Sequence, residues 1–214
     1  MFRNKIRYFI VLLLQGCLFT VAAQEKIDLV NITELDSTII VDLKYATAEN
    51  FLGDTLYTAN ICLLRRDVAE RLVKVQKDLR KQGLGLKIWD GYRPLSVQKK
   101  MWKKLPDHRY VADPAKGSNH NRGAAVDVTL VDLKGNELKM PTAFDDFSEK
   151  AASDYPYTSP EAIKNRKILQ EAMKRHGFQP ISSEWWHFND KDIKKYSVLD
   201  IPLDYFSRKK KEEK

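Results

Sequence analysis

Cysteine is almost missing from this chain: two occur among 214 residues, Cys17 and Cys62. Residues 1–23 read as a removable export signal, with Arg3, Lys5 and Arg7 ahead of an apolar centre at residues 9–14 and small Val21-Ala22-Ala23 as the cleavage site. Cys62 is then alone, so no internal disulfide is available and the fold must rest on its core and on any metal it binds. Its context, Asn-Ile-Cys-Leu-Leu, has no histidine nearby and marks it as a small buried hydrophobe rather than a nucleophile. Long apolar runs are also lacking. Gln15 and Gly16 interrupt a stretch already too short to span a bilayer, so no transmembrane segment is expected after cleavage. Leu14-Gln15-Gly16-Cys17 loosely matches a lipoprotein box, but Gln15 is unusual there, which favours a secreted or periplasmic protein over one lipid-anchored through Cys17.

An excess of charge over the folded part is missing as well. The formal charge is +8, but residues 1–23 carry three basic and no acidic side chains, and residues 208–214 carry five basic and two acidic ones. That leaves about +2 for the body of the protein, which describes a basic tail and excludes a nucleic-acid footprint. There is no internal repeat and no low-complexity linker. Residues 24–207 therefore read as one domain, long enough for a sizeable core.

Histidine is scarce too, at four residues, and two of the four carry the chemistry. In residues 118–127, Ser-Asn-His-Asn-Arg-Gly-Ala-Ala-Val-Asp, an imidazole and a carboxylate stand seven positions apart, with Gly123 between them to permit a sharp turn. Taken alone, that spacing is better explained by a structural His–Asp pair, so a third ligand is needed. The following run alternates, placing Ala125, Asp127 and Thr129 on one face and Val126, Val128 and Leu130 on the other. Sixty residues on, Ser-Glu-Trp-Trp-His-Phe supplies His187 with Glu184 just before it. His120, Asp127 and His187 make three ligands that leave one tetrahedral position of a zinc ion open for water, and Glu184 is the spare carboxylate to accept that water's proton. The same two-His, one-carboxylate set also suits non-haem iron, which is disfavoured because the chain lacks the many evenly spaced strands of an all-β barrel. Residues three apart in an ideal strand face opposite ways, so Glu184 and His187 converge only if Glu184 lies in a turn before the strand or a bulge intervenes.

Ser-x-His-x-x-Gly-x-Ala-x-Asp followed by Glu-x-Trp-His resembles the zinc D-alanyl-D-alanine peptidases, and the spelling Glu-Trp-Trp-His resembles their D-Ala-D-Ala dipeptidase (VanX-like) branch. Asp42-Leu-Lys-Tyr-Ala-Thr-Ala-Glu-Asn-Phe51 and Trp89-Asp-Gly-Tyr-Arg-Pro94 match that branch too, so the likeness runs from about Ile27 to Tyr205. The resemblance implies one Zn2+ per chain on His120, Asp127 and His187, and hydrolysis of the dipeptide to free D-alanine with Glu184 as general base. It also implies that Arg93 stabilises the carbonyl oxygen as it becomes negative, and that Asp145, helped by Tyr45, pairs with the substrate ammonium. Ser118 is a candidate donor to the substrate carboxylate, or merely a turn-forming serine. Asp145 and Asp146 could instead cap a helix beginning near Phe147, and Arg93 could make a simple surface ion pair. His108 and His176 match no motif and read as surface residues. A D,D-carboxypeptidase or peptidoglycan endopeptidase with the same zinc centre is the neighbouring alternative, and a zinc-containing binding module without chemistry the more distant one. Residence outside the cytoplasm makes resistance a less natural role than cell-wall turnover or nutrient recovery, because a dipeptide destined for wall synthesis is made inside the cell. The oligomeric state remains open.

The pattern predicts an α+β fold, a mainly antiparallel sheet flanked by helices with the zinc site at the sheet. Strands are expected at residues 38–43, 84–89, 125–130, 178–181 and 185–188, with a hairpin return at 137–140 after Lys134-Gly135-Asn136. Residues 46–60 read as a long loop of the kind that covers a site. Helices are expected at 66–82, with Val68, Leu72, Val75 and Leu79 as its apolar stripe, at 95–104 behind Pro94, and from Ser159-Pro160 to Gly177.

Overall fold

Alternation and capping residues do most of the sorting into elements. The computed structural model of the chain describes residues 28–206; the expected export signal at residues 1–23, with Cys17, and the basic tail at residues 208–214 lie outside them. In chain order the elements are β1 (Leu29–Asn31), α1 (Ile32–Leu35), β2 (Ile40–Val41), β3 (Leu63–Arg65), α2 (Arg66–Arg80), β4 (Leu84–Asp90), α3 (Leu95–Lys104), β5 (Ala125–Asp132), α4 (Pro160–Arg175), β6 (Phe178–Pro180) and β7 (His187–Asp190). β1 and β3 pair antiparallel as a separate ribbon, while the main sheet has the order β2-β4-β5-β7-β6. Its β2–β4 pairing is parallel and the rest antiparallel, the mainly antiparallel α+β domain that the pattern predicts.

β5 is the spine of this sheet. Val126, Val128 and Leu130 are fully buried, and the chain's 3-residue and 4-residue partners β6 and β7 complete the sheet beyond it. α4 begins where Ser159 accepts from the Ala162 amide and Pro160 fills the first turn, and it packs on β5 and β6. α2 presents Val68, Leu72, Val75 and Leu79, all fully buried, and packs against β4 and α4. A half-buried ion pair joins it to β7: Arg71 holds the buried Asp190 through two bonds of 2.7 and 2.8 Å. Among the described residues no helix is long and apolar enough to cross a membrane.

Four expected elements come out differently. The strand expected over 38–43 forms only at Ile40–Val41, because Thr38 is bound in a turn by the Asp36 carboxylate and its carbonyl is taken by Gln76. The expected hairpin return is a single bridge, Glu137 against Val131. No helix starts near Phe147; the Asp146 carboxylate instead accepts the Ser148 amide, ahead of a 3-10 turn at Glu149–Ala151. The last strand begins at His187 rather than Trp185, since His187 N–H closes a turn on the Glu184 carbonyl.

Candidate active site

Strand register assembles the centre. Asp90 lies opposite Asp127 across β4 and β5, and Asp127 opposite His187 across β5 and β7, so three polar side chains form a row across adjacent strands. An irregularity between Ile88 and Asp90 shifts the end of β4 into this register. His120 arrives from the 3-10 turn His120–Arg122, which Gly123 ends in the left-handed region at φ 67°. A side chain at Gly123 would also meet the tip of the Leu29 side chain at 2.7 Å, which can move aside, so it is the conformation that demands glycine.

His120, Asp127 and His187 each offer one ligand atom, and these atoms lie within 4.8 Å of one another, all on buried residues. The outward ring nitrogens settle which atoms face inward. His120 Nδ1 lies 2.8 Å from the Gly91 carbonyl, an acceptor only, so that nitrogen carries the proton and Nε2 presents a lone pair. His187 Nε2 likewise faces Asn189 Oδ1 at 2.9 Å, leaving Nδ1 as the inward atom. The two inward nitrogens are 3.1 Å apart and lie 3.3 and 3.0 Å from the Asp127 carboxylate. Two lone pairs and a carboxylate facing one another need a cation between them. With a proton as the only cation, burial opposes a charge on His187 but the Asp127 carboxylate outweighs it, raising His187 to about 9. Burial would raise the Asp127 carboxyl, yet the His120 and His187 imidazoles hold it well below the usual carboxylate range. Two imidazoles and one carboxylate with an open side suit zinc.

Glu184, in the turn before β7, puts Oε2 3.9 Å from His187 Nδ1. The turn therefore resolves the facing problem that an ideal strand poses. Burial, aided by Asp127 and opposed chiefly by His187, raises its carboxyl above the ordinary range. Arg93 is buried and is no surface ion pair: Nε donates to Asp90 Oδ2 at 3.0 Å and Nη1 to Gln98 Oε1 at 2.9 Å, and the guanidinium lies 5.0 Å from the Tyr45 ring centre. Asp90 is itself saturated, accepting from Gly91 N–H, the Tyr57 hydroxyl and Arg93. Burial works against the Arg93 charge, but the facing Asp90 carboxylate holds its pKa well above the ordinary value.

A cleft of 300 Å³ opens over these groups, bounded also by Ser118, Tyr45, Asp145 and Trp186. Ser118 Oγ accepts the His120 amide at 3.3 Å, a capping role that leaves its own proton for a ligand. Tyr45 donates to Asp145 Oδ2 at 3.0 Å, and burial keeps that phenol protonated. Asp145 stands in the left-handed region at φ 55°, and burial, then the Asp127 charge, push its carboxyl up to about 8. A second cavity, 640 Å³, lies on the other side of Asp145 and Phe51 and contains none of the histidines. Exposed His108 sits at the mouth of the cleft, whereas His176 is half-buried against Asp78 on α2 at 2.8 Å, away from the centre.

Residues 25–206 match the M15 peptidase family described as D-Ala-D-Ala dipeptidase. The chain belongs to that family. The D-alanyl-D-alanine dipeptidase of Escherichia coli (strain K12) is 40% identical over 172 residues, covering 80% of this chain and 89% of that one. The enzyme of the same name from Enterococcus faecium is 32% identical over 185 residues, covering 76% and 91%. Among solved structures, VanYB in complex with D-alanine-D-alanine aligns with a TM-score of 0.42 at 19% identity, over 65% of this chain and 77% of that one. Within this family member, sequence reasoning brought His120, Asp127, His187, Glu184, Arg93, Ser118, Tyr45 and Asp145 to one cleft, where all eight lie. It missed Asp90, Tyr57, Gln98 and Asn189. Asp90 sat inside a quoted motif but read as a turn residue, and only the register across three strands reveals its place.

Proposed function

We propose that this chain is a zinc-dependent dipeptidase that cleaves D-Ala-D-Ala to free D-alanine, with one zinc ion held by His120 Nε2, Asp127 and His187 Nδ1. The observation that carries the reading is the meeting of two inward lone pairs and a carboxylate beside Glu184, in a chain 40% identical to a dipeptidase of that name. When bound, zinc would supply Lewis acidity, polarising the peptide carbonyl and lowering the pKa of water at the site to about 7. Glu184 takes the proton of the attacking water and hands it to the leaving amine, a task suited to a carboxyl whose proton affinity burial has raised. Arg93 spends three of its five N–H groups on Asp90 and Gln98, which leaves donors for the carbonyl oxygen as negative charge builds there.

Asp145 favours a dipeptide over a longer chain. In this reading its carboxylate, steadied by the Tyr45 hydroxyl, takes the free ammonium of the substrate, while Ser118 donates to the carboxylate at the other end. A longer peptidoglycan stem carries an amide where that ammonium would be. On the strength of the export segment at residues 1–23, the reaction belongs outside the cytoplasm.

The test compares D-Ala-D-Ala with its N-acetyl form on the zinc-loaded protein, alongside Glu184→Gln. Loss of a charge-assisted bond worth about 1.5 to 3 kcal/mol predicts that the acetylated substrate is cut roughly ten- to a hundredfold more slowly by kcat/KM. Glu184→Gln should keep stoichiometric zinc and lose most turnover. Equal kcat/KM for the two substrates would overturn the dipeptidase assignment in favour of a carboxypeptidase, and near-normal turnover by Glu184→Gln would overturn the general-base role.

A further inference from the structure

The two histidines at the centre are steered from outside in different ways. The outward nitrogen of His120 is held by a backbone carbonyl, which no substitution at that position removes. The outward nitrogen of His187 is held by a side chain, Asn189 Oδ1, at 2.9 Å. Asn189 lies two residues along β7 from His187 and so shares its face of the sheet, opposite small Ala125 of β5. Its amide is oriented in turn: Asn119 Nδ2 donates to the same Oδ1 at 2.9 Å. Asn119 comes from the loop that also carries His120, so one short relay reaches from the loop of the first histidine to the ring of the second.

The chemistry of that relay is one-directional. An oxygen that already accepts from the Asn119 amide can serve the imidazole only as an acceptor, which obliges His187 to carry its proton on Nε2 and to keep a lone pair on Nδ1. We propose that Asn189, oriented by Asn119, is a positioning residue that fixes the tautomer and ring plane of His187 for metal binding. This rests on the zinc reading above and adds two residues that border the cleft and would act on the metal through His187. Histidine ligands whose outward N–H loses its acceptor commonly give up ten- to a hundredfold in metal affinity.

The experiment measures zinc dissociation constants by chelator competition, and the visible spectrum of the cobalt-substituted protein, for the unmutated chain, Asn189→Leu, Asn189→Asp and Asn119→Ala. Asn189→Leu removes the acceptor and should weaken zinc ten- to a hundredfold with an altered cobalt spectrum. Asn189→Asp keeps an acceptor in the same place and should stay within a few-fold of the unmutated protein. Asn119→Ala, which leaves the β7 side chains in place, should weaken zinc several-fold and decides the matter if Asn189→Leu does not fold. Zinc affinity and cobalt spectrum unchanged in Asn189→Leu, or in Asn119→Ala where Asn189→Leu does not fold, would overturn the proposal. Failure of the unmutated chain to bind zinc would instead overturn the metal centre, and this inference with it.

Discussion

Asp145 combines two unfavourable circumstances, a left-handed backbone at φ 55° and a buried carboxyl whose pKa stands at about 8. Aspartate tolerates the first better than most residues do, and the second has a definite sign. A carboxyl raised above its unfolded value of 3.8 contributes stability below that pH, and the contribution is lost as pH rises towards 8. Asp145→Asn, which keeps the shape and tolerates the backbone, should therefore gain stability over the unmutated metal-free protein progressively from pH 4 to 8 and level off above. The gain should be on the order of a few kcal/mol at most. Thermal melts of both at pH 5 and pH 8 check it: a difference that does not grow with pH would mean that Asp145 is ionised and solvated. The same substitution should raise KM for the free dipeptide, so a group that costs the fold something would be kept for what it binds. At this scale the sequence was most legible where a residue type is rare. Four histidines leave few ways to assemble a metal centre, whereas Asn189 is one of many polar residues and only its neighbour across 70 positions gives it meaning.

At the level of elements, β2 is too short to serve as a full edge for β4. The Leu86 amide at that edge is met by a helix side chain, Gln76 Oε1, at 2.8 Å, while Gln76 Nε2 reaches the Thr38 carbonyl at 3.0 Å. A fully buried glutamine thus does the work of missing strand backbone and clamps α2 to the sheet. Gln76→Leu should strand the Leu86 N–H without a partner and cost about 2 to 4 kcal/mol, read as a lower urea midpoint with unchanged slope. A midpoint unmoved by the change would show that the clamp is dispensable. This explains the uneven legibility of the elements. α4 was readable because Ser159 and Pro160 act on their own helix, and α2 because its stripe is local. β2 and the hairpin at Glu137 were not, because what limits them, Gln76 in one case and a single bridge in the other, comes from outside the segment.

Across the whole molecule, the cleft is built where the sheet's polar row meets two loops, one carrying His120 and one carrying Tyr45. The hydrophobic pattern foretold the sheet and its helices, since burial of alternating and helical stripes leaves few other arrangements. It could not foretell the row of Asp90, Asp127 and His187, because register is decided by pairing across strands and not within any one of them.

That row also sets an order of events. His187 is separated from Asp127 by 60 positions and from His120 by 67, so the three ligands meet only once β5 and β7 are already paired. On the zinc reading proposed above, the ion then has nothing complete to bind in an unfolded or half-folded chain. Its energy should arrive after the rate-limiting step of folding and act almost wholly on the return journey. Stopped-flow refolding with and without zinc should give the same rate constant, while unfolding in denaturant should slow in proportion to free zinc above its dissociation constant. Refolding that zinc accelerates would mean that the distant strands find each other early, with the metal as their meeting point. An unchanged refolding rate would make the ion a latch that the finished fold closes, so that its removal shortens the lifetime of the native state without delaying its birth.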